Sequence, residues 1–191
     1  MQTSSEFESD VLDIIKSRRS RRAFSSRPIE IEKIKSLFEA ARWAPSSLNE
    51  QPWRYVYATK DQELWNGIFE TLNEGNRIWA KDAPLLIVSF CKKYFSRNGV
   101  LNGAAKYDVG AANAFLSLQA THLGLNTHQM GGFNHALLRQ NLNVPIDFEE
   151  GVIIAVGYPG HVSQLPEHLH ARENSPRTRQ TQNEFVMNKT F

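Results

Sequence analysis

"AAKYDVGAANAFLSLQATHL", residues 104–123, decides the architecture. At a period of 3.6 it places small or apolar residues on nearly every side. That pattern predicts a helix buried all round, at the centre of the core. Gly124 follows as its stop. Downstream, "NTHQMGGF" (126–133) predicts a glycine loop, "NHALLRQNL" a short helix capped by Asn134, and "GVIIAVGYPG" (151–160) a buried strand ending in a turn. The last thirty or so residues read as polar and irregular, with "EFV" (184–186) a possible edge strand.

Upstream, residues 93–103 are polar and contain glycine, which predicts a loop. The run "LLIVSF" after Pro84 predicts a buried strand. Leu64, Ile68, Phe69 and Leu72 make a helical stripe, and residues 53–59 alternate like a strand. Ile34, Leu37, Phe38 and Ala41 mark a helix over about 30–43, ended by Pro45. A first helix is expected from Ser4 or Ser5 to about residue 18, with Phe7, Val11, Ile14 and Ile15 as its stripe. Helices outnumber strands around a central helix, so the fold class is α+β, in one domain over 1–191. No repeat and no G-x-G-x-x-G fingerprint is present, which argues against a dinucleotide-binding Rossmann unit.

Composition narrows the classes of function. The net charge of +2 gives no global case for nucleic acid. No apolar stretch is long enough to span a membrane, and the polar, acidic start lacks the pattern of a secretory signal. A cytoplasmic protein is expected. The single Cys91 excludes an internal disulfide and reads as a buried, inert thiol. Charge is nevertheless local: residues 16–27, "KSRRSRRAFSSR", hold six cations and no acid, and the tail "SPRTRQTQNEFVMNK" is also basic. Two separated basic clusters in a near-neutral chain point to a local anion site.

Three segments carry chemistry. In an extended segment alternate residues point the same way, so Arg18, Ser20 and Arg22 converge on one anion, a set suited to phosphate. Compensation of a helix end is the plainer reading, which the density of arginines exceeds. The connection "RWAPSSLNEQPWRYVYATK" (42–60) holds Ser46, Ser47, Asn49, Gln51 and Trp53 where a short turn would serve. Its amides, hydroxyls and indole suit a planar heteroaromatic ligand. In "MGGF" (130–133) the glycines make either a turn or a close approach of backbone to a ligand. His161, His168 and His170 lack an acid or cysteine at metal-ligand spacing and read as surface histidines in an exposed loop, so no metal is expected.

Taken in order, "SRRSRRAF", "ARWAPSSLNEQPWRYV", the glycine-asparagine pair at 75–76 with "WA" at 79–80 and "DAP" at 82–84, "MGGF", "AVGYPG" and the late Arg177 and Arg179 resemble the nitroreductase family of FMN-dependent oxidoreductases. The resemblance runs from about residue 10 to residue 187. It implies a nitroreductase-like fold with a mixed or antiparallel central sheet, and a homodimer with FMN at each subunit interface. By that resemblance Arg18 and Ser20 hold the FMN phosphate, and Arg22 reaches the phosphate side or the pyrimidine edge. Arg19 lies beside the flavin, and Arg177 and Arg179 complete the clamp. Pro45, Ser46, Ser47 and Asn49 come from the partner subunit and wall the flavin, with Gln51 behind them and Trp53 structural. Asn76 meets the pyrimidine edge, and Gly131 and Gly132 bring a backbone N–H to flavin N5. No catalytic side chain is implied, because the flavin carries the chemistry. NADH or NADPH donates in a ping-pong scheme to nitroaromatics, quinones or similar small electron-poor acceptors. Specialised branches (enone reduction, dehalogenation, azoline oxidation) and a non-catalytic FMN-binding protein are the alternatives. Gly131 stands where some relatives carry an acid, and Trp79 where some carry a cationic flavin contact. Tyr94, Phe95 and the 93–103 loop are candidates for a cover over the acceptor.

Overall fold

The computed structural model describes residues 2–190. In chain order the elements are β1 (Thr3–Ser4), α1 (Asp13–Ser17), α2 (Ile31–Arg42), β2 (Trp53–Thr59), α3 (Glu63–Phe69), α4 (Glu74–Ala80) and β3 (Leu85–Lys92). Then follow α5 (Ala105–His122), β4 (Asn126–Met130), α6 (His135–Asn141), β5 (Phe148–Gly157), α7 (Glu167–Asn174) and β6 (Arg179–Gln180). Four strands form one antiparallel sheet in the order β2-β3-β5-β4, and β1 pairs separately with β6.

The sheet, not α5, is the middle layer. Because side chains alternate along a strand, Leu86, Val88 and Phe90 join Trp65, Ile68, Trp79, Leu138 and Leu169 in a core under α3, α4, α6 and α7. Leu85, Ile87 and Cys91 point the other way, into a core with α2 and α5 that contains Leu37, Val109, Ala112, Leu116 and Ala120. The same alternation turns Ser89 toward α5, opposite an irregularity where β5 carries one extra residue between Ile153 and Glu150. There its hydroxyl accepts from Asn113 Nδ2 at 3.1 Å and from Val152 N at 3.0 Å, so the polar group is paired on burial.

α5 is therefore not buried all round. Its inner face is buried, but Lys106, Tyr107, Gly110, Ala114 and Phe115 are exposed, Tyr107 at 81%. Periodicity alone reported an apolar outer face and assigned it to this chain's own core.

Other expectations need correction for equally local reasons. The first helix begins only at Asp13 and spans five residues. Before it, Ser4 Oγ accepts from Glu6 N at 3.0 Å and Glu8 Oε2 accepts from Gln182 N at 2.8 Å. The first is a local side-chain bond of the kind that competes with helix, and the second ties the segment to the tail. "NTHQM" is strand β4 rather than loop, paired with β5 from Asn126↔Gly157 to Met130↔Ile153. "EFV" is not an edge strand: residues 182–184 form a 3₁₀ turn, and the tail's strand pairing is made by Arg179–Gln180. His168 and His170 stand on α7 rather than in a loop, and His170 Nε2 lies 2.9 Å from the Leu165 carbonyl. The sequence shows no apolar stripe for α7 because one of its two buried residues is the acid Glu173.

Strands 53–59 and 85–92, helix 31–42 and the Asn134 cap, whose side chain accepts from Leu137 N at 3.0 Å, match the expectations closely. Cys91 is buried, and desolvation pushes its thiol pKa up. Among the described residues no helix is long and apolar enough to cross a membrane.

Candidate active site

The basic segment is extended and lies along the outer edge of β4, where Ser20 bridges Thr127 in parallel. Glu173 holds it there. This carboxylate, 5% exposed, accepts from Arg22 N at 3.0 Å and from Ala23 N at 3.4 Å. The consequence is the alternation that an extended chain requires. Arg18 Nη1 approaches Ser20 Oγ at 3.5 Å. The Arg22 guanidinium lies 6.0 Å from the Trp79 ring. Arg19 and Arg21 turn the other way, Arg19 donating to the Ser175 carbonyl and Arg21 Nη1 to the Glu173 carbonyl at 2.7 Å. Arg19 is thus separated from Arg18, Ser20 and Arg22.

The electrostatics of that first face are one-sided. Burial is the main cause that lowers the pKa values of Arg18 and Arg22, with repulsion from Arg179 on Arg18 and from Arg172 on Arg22. No ion pair neutralises either guanidinium among the described residues, whereas Arg27, Arg42 and Arg139 each meet a glutamate. Glu173 offsets part of the charge on Arg22, but preplaced, partly desolvated cations outside any ion pair favour an anionic ligand. Arg177 and Arg179 approach from the tail and share with Arg18, Phe7 and Ile15 a cavity of about 350 Å³. Arg177 also closes the end of α1, donating to the carbonyls of Arg18 at 2.6 Å, Ile15 at 3.3 Å and Lys16.

Further along β4 the same edge continues into the glycine turn. His128 packs on Trp79, ring centroids 4.5 Å apart, with Nδ1 3.0 Å from the Arg21 carbonyl. Burial, reinforced by repulsion from Arg22, Arg172 and Arg18, lowers its pKa to about 4. Past Met130, the Gly132 carbonyl accepts from Asn73 N and from Asn76 Nδ2, each at 3.0 Å. A Cβ on Gly132 would stand 3.1 Å from Asn76 Nδ2 and 3.2 Å from Asn73 Nδ2, so glycine is what lets both side chains close on this turn. The structure therefore brings Arg18, Ser20, Arg22, Asn76, Gly131 and Gly132 along one sheet edge.

The other predicted wall lies elsewhere. Residues 45–51 lead into β2 at Trp53, whereas Ser20 sits beyond β4, at the level of Thr59 through the register Thr59↔Leu85↔Val156↔Thr127. Four lateral spacings of about 4.8 Å and six rises of about 3.3 Å separate the two corners by more than ~25 Å. Pro45, Ser46, Ser47, Asn49 and Gln51 are thus not brought to the basic segment within one chain. Their corner is held by its own bonds. Ser47 N donates to Asp108 Oδ2 at 3.1 Å and Gln51 N to Ser46 Oγ at 3.0 Å. Gln51 Nε2 donates to the Asn49 carbonyl at 3.1 Å. Leu48, Asn49 and Gln51 carry positive φ of 53°, 55° and 51°, a conformation non-glycine residues rarely adopt. Trp53 is buried in the α2–α5 core, as a structural role requires. Glu50 accepts from Ser96 N at 2.8 Å and Oγ at 2.6 Å, which fastens the 93–103 loop to this corner.

Sequence reasoning missed Glu173, His128 and Arg172. Nothing in the primary pattern marks them, because their importance comes from α7 and β4 lying on either side of the basic segment.

A three-layer α+β domain with a cationic cleft along one sheet edge and a glycine turn at its end defines the nitroreductase-like fold. The model of the nitroreductase family matches residues 15–158, and the chain belongs to that family. A crystal structure described as an oxidoreductase containing FMN superposes with a TM-score of 0.92 at 34% identity, covering 100% of this chain and 98% of that one. Iodotyrosine deiodinase of Haliscomenobacter hydrossis is 30% identical over 178 residues, 78% of this chain and 79% of that protein. A protein of Methanothermobacter thermautotrophicus, provisionally named an NADH dehydrogenase/NAD(P)H nitroreductase, is 29% identical over 154 residues, 78% of each chain.

Proposed function

We propose that this protein is an FMN-dependent oxidoreductase. It takes electrons from NADH or NADPH and delivers them to nitroaromatics, quinones or similar electron-poor small molecules. The observation that carries the reading is the unneutralised face of Arg18, Ser20 and Arg22, continuous along β4 with the Asn76–Gly132 turn. The residues fit the cofactor: half-buried guanidinium forks and a hydroxyl suit its phosphate, and amides beside a glycine turn suit the polar edge of its ring.

When bound, FMN supplies the electron transfer between donor and acceptor. The chain's own residues bind and orient. Arg18 and Ser20 would grip the phosphate, with Arg177 and Arg179 completing the cationic wall. Arg22, backed by the Trp79 ring, would put positive charge toward the ring system, where negative charge is stabilised by preplaced donors. Asn76 would pair with the polar ring edge, while Gly131 and Gly132 would let backbone come close to it.

The wall at Pro45, Ser46, Ser47, Asn49 and Gln51 would come from a second copy of the chain. Two observations support this: more than ~25 Å separates the two corners, and α5 presents an apolar outer face around Gly110, Ala114 and Phe115. Burying such a face between two copies is the usual fate of a large exposed apolar patch. The working protein would then be a homodimer.

The test is a visible spectrum and mass of the purified protein, followed by steady-state NADH and NADPH oxidation with a quinone or a nitroaromatic. A yellow dimer that releases one FMN per chain and turns over supports the reading. A colourless protein that refuses added FMN overturns it, and a yellow protein without turnover is a flavin-binding protein only. Similarity to iodotyrosine deiodinase favours one second reading, reductive dehalogenation of a halogenated aromatic. Halide release under reducing conditions, with quinone reduction slow, would select it.

A further inference from the structure

The basic segment has two faces, and the proposed function uses only one. Arg19 and Arg21 leave the opposite side of the same extended backbone and line a separate cavity of about 450 Å³, together with Ser17, Asn126, His161 and Asn174. Neither guanidinium is in an ion pair among the described residues. Each makes a single hydrogen bond to a backbone carbonyl, Arg19 to Ser175 and Arg21 to Glu173. A guanidinium carries five N–H donors, so most of each fork remains for solvent or a ligand. One acid, Glu173, stands in this wall, bound through its carboxylate to Arg22 N and Ala23 N, so two cations face a single carboxylate that pairs with neither guanidinium. Burial, then repulsion from Arg21 and Arg177, lowers the pKa of Arg19 against the attraction of Glu173.

Two adjacent forks are the arrangement that binds phosphate through paired, charge-assisted hydrogen bonds. The cavity is far larger than one anion, and the carboxamides of Asn126 and Asn174 and the hydroxyl of Ser17 offer donors and acceptors for hydroxyl groups. We propose that this cavity is a second anion site that takes the phosphate monoester of a small polar alcohol, with the phosphate on Arg19 and Arg21 and the hydroxyls on Asn126 and Asn174. The site does not depend on the FMN reading, since the backbone of residues 18–22 lies between the two faces.

The test uses the full chain with excess FMN present, so that the Arg18 face is filled. Ribose 5-phosphate is titrated by calorimetry, with ribose alone as the comparison. The expected result is saturable binding of one equivalent per chain, weakened at least tenfold by Arg19→Gln or Arg21→Gln and unchanged by Lys35→Gln, a substitution at an exposed cation outside both faces. Side-chain Nε–Hε resonances give a readout on the unmutated protein: those of Arg19 and Arg21 move with ribose 5-phosphate and that of Arg18 does not. No saturable binding through the millimolar range overturns the proposal, as does equal binding of ribose. Full binding retained in both Arg19→Gln and Arg21→Gln would assign the phosphate elsewhere and overturn it too. Flavin absorbance followed in the same samples reports separately on the FMN reading.

Discussion

The two corners of the sheet that carry the proposed site are built on opposite principles. At the β4 corner, side chains are left unsatisfied: Arg18 and Arg22 lie half-buried without a carboxylate partner, and neutral His128 sits among them. At the β2 corner the polar groups are already spoken for. Ser46, Ser47, Asn49 and Gln51 bond to one another or to Asp108, and the strain sits in the backbone at three positive φ angles. One corner holds charge suited to an anionic ligand, whereas the other holds a shape already set by its own bonds. Such a division suits a site assembled from two chains, since each half stays folded while apart.

The sharpest way to break this contrast is to remove the charge. Replacing Arg18 and Arg22 together by Ala should cut FMN affinity by about 10²–10⁴-fold, because each charge-assisted hydrogen bond contributes about 1.5–3 kcal/mol. Flavin fluorescence titration reads it, and an unchanged affinity would remove the basic face from the site. The apparent stability without flavin should hold or rise, as repulsion is relieved.

At the other corner the matching experiment is Asp108→Ala. It leaves the half-buried Ser47 N without its acceptor and should cost about 1–3 kcal/mol. Urea unfolding reports the cost. Flavin release should accelerate if the loop walls the partner's site, and a normal release rate would detach the loop from it.

His128 tests whether charge governs the β4 corner alone. Its folded pKa of about 4 lies below the ordinary value of 6.5, so between those values the unfolded chain binds more protons. Stability is therefore complete above about pH 6.5 and falls as pH drops toward 4, by about 3 kcal/mol from this group. His128→Asn should flatten that part of the profile measured by urea unfolding between pH 7 and pH 4. A slope that persists would assign the titration to another group.

The smallest effect is expected from Leu48→Gly. Glycine relieves the positive φ but adds freedom to the unfolded chain, so the two changes nearly cancel, within about 0.5 kcal/mol. A large loss of stability on urea unfolding would mean that the exposed Leu48 side chain, not its backbone shape, matters at this corner.

Much of this protein was legible in the linear sequence. Strand Trp53–Thr59, the apolar run of β3, helix Ile31–Arg42 and the Asn134 cap follow from period and capping chemistry, which act within a few residues. The alternation of Arg18, Ser20 and Arg22 follows from extended geometry alone. The same rules misread α5, β4, α7 and the first helix, and each failure has one cause. An apolar residue reports that it will be covered, not by what, so Gly110, Ala114 and Phe115 looked like the core of their own chain. Polar residues such as those of "NTHQM", or the buried Glu173, carry no burial signal, because their partners are supplied by distant backbone. Only tertiary structure could decide that α7 brings a carboxylate to the amides of Arg22 and Ala23 and so divides five adjacent residues between two faces. Local sequence determines periodicity and conformation over a few residues. Which charges meet, and which remain unpaired, depends on contacts across more than a hundred residues of chain.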